Sequence, residues 1–210
     1  MLSILTVAFG GFGYWMGGYA RLPLGELRTL LQEAGYPVPD EASYLSGGEG
    51  YAVMGRALIG GGGFGLQAFA STSADYNTFA EVDGGYFSLG YALLHRANYM
   101  LYPSLGVGGG NLKIKVKGTK SGNLADVLKD PPLYAEISVG GPLIKGGLTF
   151  VYRYLSLIVG FSLGAAYLKP VSWKLNDNPI TGYPSDDYLL LWAGFTVGGG
   201  WWSYRGRRSD

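Results

Sequence analysis

Few residues in this sequence are placed to do chemistry, and each has a plainer role to displace. His95 is the only histidine and there is no cysteine, so a zinc site has almost no ligands to draw on. A nucleophile relay through His95 would need a serine or thiol and an orienting acid beside it. No such set is visible, and His95 next to Arg96 reads as a solvated turn. No catalytic residue and no cofactor is expected. The run Gly60–Gly65, GGGGFG, invites a phosphate-loop reading, but no Lys-Ser/Thr pair follows it and it lies inside an alternating segment. Asp75, Asn77, Glu81 and Asp83 gather oxygen ligands that could hold a hard cation, without the spacing of a known calcium loop. Lys113, Lys115 and Lys117 alternate with Leu112, Ile114 and Val116. On an extended chain their ammonium groups repeat about every 7 Å on one face, a spacing suited to phosphates of anionic lipid.

The elements that carry these residues follow from composition and period. The chain has 210 residues, 37 of them Gly, with 17 Tyr, 9 Phe and 5 Trp; charged residues are 15% and the net charge is +1. So much aromatic and apolar side chain excludes disorder, clustered glycines exclude collagen, and the charge gives no case for nucleic acid. The length fits one domain, 1–210. The charge-poor stretches Leu2–Ala20, Ala57–Ala74 and Tyr188–Tyr204 hold too many glycines for transmembrane helices, and Leu155–Leu168 is too short. Leu2–Ala20 also lacks the basic start and cleavage site of a secretory signal; in an exported protein the signal would have been removed or replaced by Met1.

Alternation decides the class. Leu157, Val159, Phe161 and Leu163 alternate with Ile158, Gly160, Ser162 and Gly164, and Leu191, Phe195 and Val197 with Thr196 and Gly198. Phe87, Leu89 and Tyr91 alternate with Ser88 and Gly90, and Leu105 and Val107 with Ser104 and Gly106. A soluble sheet would set its bulky face inward and charge its outer face. Here the second face carries Gly, Ser, Ala and Thr, which suits the inside of a narrow barrel with the bulky set turned to lipid. The expected lumen lining is Ser88, Gly90, Ser104, Gly106, Ser162, Gly164, Thr196 and Gly198. Eight strands are predicted, at Leu2–Tyr19, Tyr44–Met54, Ala57–Ala70, Val82–Leu94, Tyr99–Lys117, Tyr134–Tyr152, Leu155–Leu168 and Tyr188–Trp202. Tight turns at Gly55-Arg56, His95–Asn98 and Arg153-Tyr154 alternate with long links, as in outer-membrane barrels. A bulge is expected near Gly146-Gly147, where the strand containing Pro142 changes parity. In the first long link Pro23, the stripe Leu24, Leu27, Leu30/Leu31 and Ala34, and Gly35 predict a short amphipathic helix. Trp201, Trp202, Tyr204, Tyr152 and Tyr154 would form an aromatic girdle on the short-turn side, and Arg205, Arg207 and Arg208 a basic tail.

The sequence thus predicts an all-β, eight-stranded antiparallel up-and-down transmembrane barrel in a bacterial outer membrane. Its blocks GYPVPDEASYLSGGEGYAVMG, ALIGGGGFG, GGYFSLGYALLHRANYMLYPSLGVGGGNL, WKLNDNPITGYP and GFTVGGGW resemble small bacterial envelope barrels of unassigned function. That resemblance implies an acidic residue and a His in the third strand. Here glycines and Phe64 occupy it, and Glu49 on the neighbouring strand is the acid that could substitute. The expected role is non-enzymatic, structural or surface-interacting, with membrane lipid or detergent and possible lipopolysaccharide or another anionic lipid as partners. The alternatives are a small pore or transport protein, a lipid hydrolase or acyltransferase, and, at the level of fold, a soluble ligand-binding barrel.

Overall fold

The computed structural model describes residues 9–22, 24–73, 75–118, 134–181 and 186–203. Eight long strands form the wall: β1 (Phe9–Arg21), β2 (Ala42–Met54), β3 (Ala57–Thr72), β4 (Tyr76–Tyr91), β6 (Tyr99–Gly118), β7 (Tyr134–Tyr154), β8 (Leu157–Leu168) and β11 (Tyr188–Trp202). Each pairs antiparallel with the next, and β11 pairs with β1, so the sheet closes on itself. Closure satisfies every wall strand on both edges, which is what hydrocarbon demands. The short β5 (Leu94–His95) pairs with β6 at the short-turn end. At the opposite end β9 (Ser172–Leu175) and β10 (Asn178–Pro179) form a hairpin that extends the sheet from β7. The expected eight-stranded, all-β closed barrel is the observed fold.

Boundaries differ in instructive ways. Leu2–Ala8, Pro23, Tyr204 and the three C-terminal arginines lie outside the described residues. β4 begins at Tyr76, six positions before the expected Val82. The β7–β8 turn is Leu155-Ser156, not Arg153-Tyr154; Leu155 takes the left-handed conformation (φ 56°) that such two-residue turns require.

The expected bulge in β7 is absent. Its register against β6 runs unbroken from Tyr152 opposite Tyr99 to Tyr134 opposite Lys117. The apparent change of parity is a change of surroundings. Low on β7, Ile144, Leu148 and Phe150 are exposed on the outer wall, while higher up Val139 and Leu143 are buried inside. β6 does the same: Leu105 and Val107 face out, then Leu112, Ile114 and Val116 face in while Lys113, Lys115 and Lys117 take the outer face. The lower barrel has an apolar exterior, as a wall facing lipid does. The upper barrel carries its charges outside and keeps an ordinary apolar core, as a wall facing water does. Pro142 sits where the neighbour of β7 changes from β8 to β9. Its carbonyl accepts from Lys169 N (3.1 Å) on that side, so its missing N–H falls in the gap and breaks no ladder bond.

The helix α1 (Glu26–Glu33) closes the upper end. Leu24, Leu27 and Leu31 are buried, whereas Leu30 of the expected stripe is exposed. Asp186 Oδ2 accepts from Glu26 N at 2.6 Å, capping the helix from the last long loop. Gly35 (φ 78°) ends it: Gly35 N donates to Gln32 O and Tyr36 N to Leu31 O, the paired bonds of a Schellman stop.

Candidate functional site

The lumen is filled in three layers. Nearest the short turns, Phe12, Val53, Leu58, Met100, Val151, Ile158 and Trp202 are buried. Trp202, expected in the outer girdle, instead turns inward, where its Nε1 donates to Arg96 O (2.9 Å) and its ring lies 4.7 Å from the Arg153 guanidinium. Trp201, Tyr152 and Tyr154 remain on the outer wall, exposed.

The middle layer is polar. Glu49, on β2, is buried at its centre, with its side chain 2% exposed. It accepts hydrogen bonds from the hydroxyls of Tyr14 (2.6 Å), Tyr51 (2.9 Å) and Tyr86 (2.5 Å) and forms an ion pair with Lys145. Tyr14 is joined to Tyr102 (3.0 Å between hydroxyls) and Tyr51 to Ser88 Oγ (3.0 Å). The Lys145 ammonium also stands 4.6 Å from the Tyr86 ring and 5.7 Å from that of Trp192, so its charge meets a carboxylate and two π faces. A carboxylate with four donors is fully engaged, which is how a buried charge is tolerated.

Above this lies an apolar plug of Leu22, Phe64, Val82, Leu112, Leu143, Ala166, Leu168, Tyr188 and Leu190, enclosing a void of about 10 Å³. That is at the lower limit for a single water molecule. A depression of about 570 Å³ lies on the outer wall instead, beside Tyr44, Ser46, Gln67, Glu81 and Asp83.

Each expected lumen residue faces this interior. Ser88, Ser104, Ser162 and Thr196 are buried, and Ser162 is hydrogen-bonded to Thr149 (3.0 Å). A Cβ on Gly90 or Gly106 would stand about 3 Å from the Pro103 or Phe87 carbonyl oxygen. On Gly164 or Gly198 it would collide with the Trp192 ring or with the Tyr14 backbone and Gly13 oxygen. Of the hub, the sequence singled out only Glu49, as the acid that could substitute for the one the resemblance implies; Lys145 and the four tyrosines around it were not identified. Parity held the signal: Tyr86 shares a face with Ser88, and Tyr102 with Ser104.

The proposed cation ligands do not converge. Asn77 and Asp83 stand roughly 20 Å apart along one strand, and Asp75 lies beyond its start. Glu81 pairs with Lys115 (2.7 Å) and Asp83 accepts from Asn111 (3.3 Å). Among the described residues no group of three or more His, Asp or Glu side chains could hold a metal ion. Lys113, Lys115 and Lys117 do share the outer face, but not equal freedom. Lys115 is held by Glu81, which raises its pKa, and Lys117 lies 5.5 Å from the Phe79 ring. His95 is half-buried in β5; burial first, then nearby Arg56, pulls its pKa below the ordinary value.

A closed eight-stranded antiparallel barrel, with an apolar outer belt, short turns at one end and a built-up opposite end, is the fold of the small bacterial outer-membrane β-barrels. The chain has that fold, and its exposed apolar belt, with Leu105, Leu157, Leu191 and Phe195 on the outer wall, is the kind of surface such barrels turn to lipid. Comparison with solved structures gives the same fold. The attachment invasion locus protein Ail of Yersinia pestis superposes with a TM-score of 0.55 at 10% identity, over 91% of this chain and 98% of that one. Ail is also solved in complex with the heparin analogue sucrose octasulfate (TM-score 0.55, 11% identity, 92% and 99% covered). Neisserial surface protein A matches with a TM-score of 0.46 at 8% identity, covering 89% and 96%. No family model matches the sequence, and no curated protein is similar to it.

Proposed function

We propose that the protein is a sealed, non-enzymatic outer-membrane barrel that works through its surface, with its long-loop end meeting anionic groups outside the cell. The observation that carries this reading is the filled lumen. Among the described residues, apolar layers lie on both sides of the fully engaged Glu49–Lys145 hub, and the void within the upper one is about 10 Å³. That arrangement opposes the pore alternative, and a carboxylate already holding four donors is poorly placed to take a substrate proton. The exposed apolar girdle, with Phe195, Leu105, Leu157 and Leu191 all more than half exposed, opposes the soluble-barrel alternative.

The upper end is a built platform, with α1 capped from another loop and the β9–β10 hairpin extending the wall. A polyanion occupies the Ail complex; here the lysines of the upper outer wall are the groups that would meet one. Planar-bilayer recording tests the sealed reading. The expected result is no steady conductance from folded, heat-modifiable protein. Discrete, reproducible channel steps would overturn it.

A further inference from the structure

We infer that the outer wall of the upper sheet carries a phosphate-binding row made by Lys113, Ser138 and Lys174, whose ligand is the phosphorylated headgroup of an outer-leaflet lipid. This rests on the membrane-spanning reading above and assigns a site within it. The residues come from three strands, and register aligns them: Lys113 of β6 lies opposite Ser138 of β7, and Ser138 opposite Lys174 of β9. Cross-strand partners share a face. It is the outer one, because Leu112, Ile114, Val139 and Trp173 beside them are buried on the inner face. At the spacing of neighbouring strands the two lysine Cα atoms stand about 10 Å apart, with the hydroxyl between them. Two ammonium arms at that separation can close on one phosphate or hold the two ends of a diphosphorylated headgroup, while the Ser138 hydroxyl donates to a phosphate oxygen.

The neighbouring charges leave these two lysines available. Glu81 lies opposite Lys113 in register, but its carboxylate is 2.7 Å from Lys115 Nζ. Glu136 also acts on Lys115 and accepts from the Tyr134 hydroxyl at 2.7 Å. Asp83, one outward position nearer the girdle than Glu81, accepts from Asn111. Among the described residues neither Lys113 nor Lys174 has a carboxylate partner. The height is also suitable. Lys113 is two outward positions above Gly109, about 10 Å higher on a strand tilted by about 40°. Headgroups begin at the edge of the hydrocarbon, and a lysine stem can reach down to them.

The experiment uses full-length protein in nanodiscs of zwitterionic phospholipid doped with diphosphorylated lipid A or its dephosphorylated form, with retained glycolipid counted by native mass spectrometry. Wild type should retain the phosphorylated form selectively. Lys113→Gln and Lys174→Gln should each lower retention about fivefold and the double variant about thirtyfold, an effect that shrinks with salt. Ser138→Ala should lower it less, and Lys115→Gln and Lys117→Gln should leave it within a factor of about two. Equal losses from all four lysines, or none from the double variant, would overturn the site while leaving the membrane reading intact. Failure of the wild-type protein to insert would overturn both. Equal competition by a soluble sugar phosphate without acyl chains would reassign the row to free phosphate and overturn the lipid assignment.

Discussion

Removing the charge of Glu49 should be among the most damaging isosteric changes in the barrel. Glu49→Gln leaves the Lys145 ammonium, 3% exposed, sealed between two apolar layers with no countercharge. Breaking a buried pair from one side costs about 3–5 kcal/mol. The reverse change is milder. Lys145→Met leaves the carboxylate with three tyrosine donors at 2.5–2.9 Å, and bonds to a charged group each contribute about 1.5–3 kcal/mol. A loss of about 1–3 kcal/mol is expected for it. Removing both charges leaves a neutral amide among phenols beside a methionine of similar length, and the double variant should lie within about 2 kcal/mol of wild type. The cycle therefore predicts a coupling above about 2 kcal/mol. Denaturant titration of the barrel in lipid vesicles, followed by tryptophan fluorescence and heat-modifiable gel migration, measures all four corners. Additive losses, or a larger loss from Lys145→Met than from Glu49→Gln, would show that the carboxylate is not the hub of the lumen.

Three further outcomes follow from the two surfaces of the wall. Val159→Arg, on the outer face, should destabilise the barrel by about 2–4 kcal/mol if it lies near the bilayer midplane; a loss under about 0.5 kcal/mol in the same titration would place Val159 away from lipid. Gly198→Ala should cost about 1–3 kcal/mol, since its Cβ meets the Gly13 oxygen and Tyr14 backbone. Gly85→Ala, whose nearest atom would be 3.9 Å away on the outer face, should change stability by less than about 0.5 kcal/mol; equal effects would contradict the assigned faces. Glu41 accepts from Arg21 and Arg28 at 3.0–3.3 Å, and these bonds, Arg21 first, hold its pKa below the usual carboxylate value. A depressed folded value means the contact stabilises fully above the ordinary carboxylate range and is lost as pH falls on through the lowered folded value. Hydrogen exchange at α1 amides, corrected for intrinsic rate, should therefore accelerate on acidification in wild type and respond less in Glu41→Gln.

Much of the barrel was legible because a strand has a period of two, and a lipid-facing wall cannot hide it. Leu157, Val159 and Phe161 against Gly160 and Ser162 state an inside and an outside without any partner strand, and the lengths of the links state which end is which. The same period misled where the solvent changes. In β7 the apolar residues pass from the outer to the inner face between Leu148 and Leu143, which reads in one dimension as a bulge. Only the unbroken register with β6 shows that the backbone never slips and that it is the character of the two faces that changes. Tertiary structure alone decided the hub. Glu49 and Lys145 sit 96 positions apart on strands that do not pair, and Tyr14, Tyr86 and Tyr102 reach them from three others. Local pattern can say that such residues point inward; closure of the wall decides which of them share a level. The same holds outside, where Lys113, Lys115 and Lys117 look alike in sequence. The folded wall sets Lys115 in an ion pair with Glu81, diagonally across the ladder, and places Lys174 beside Ser138, because in a sheet both the direct and the diagonal cross-strand neighbours on one face come within reach of a long side chain.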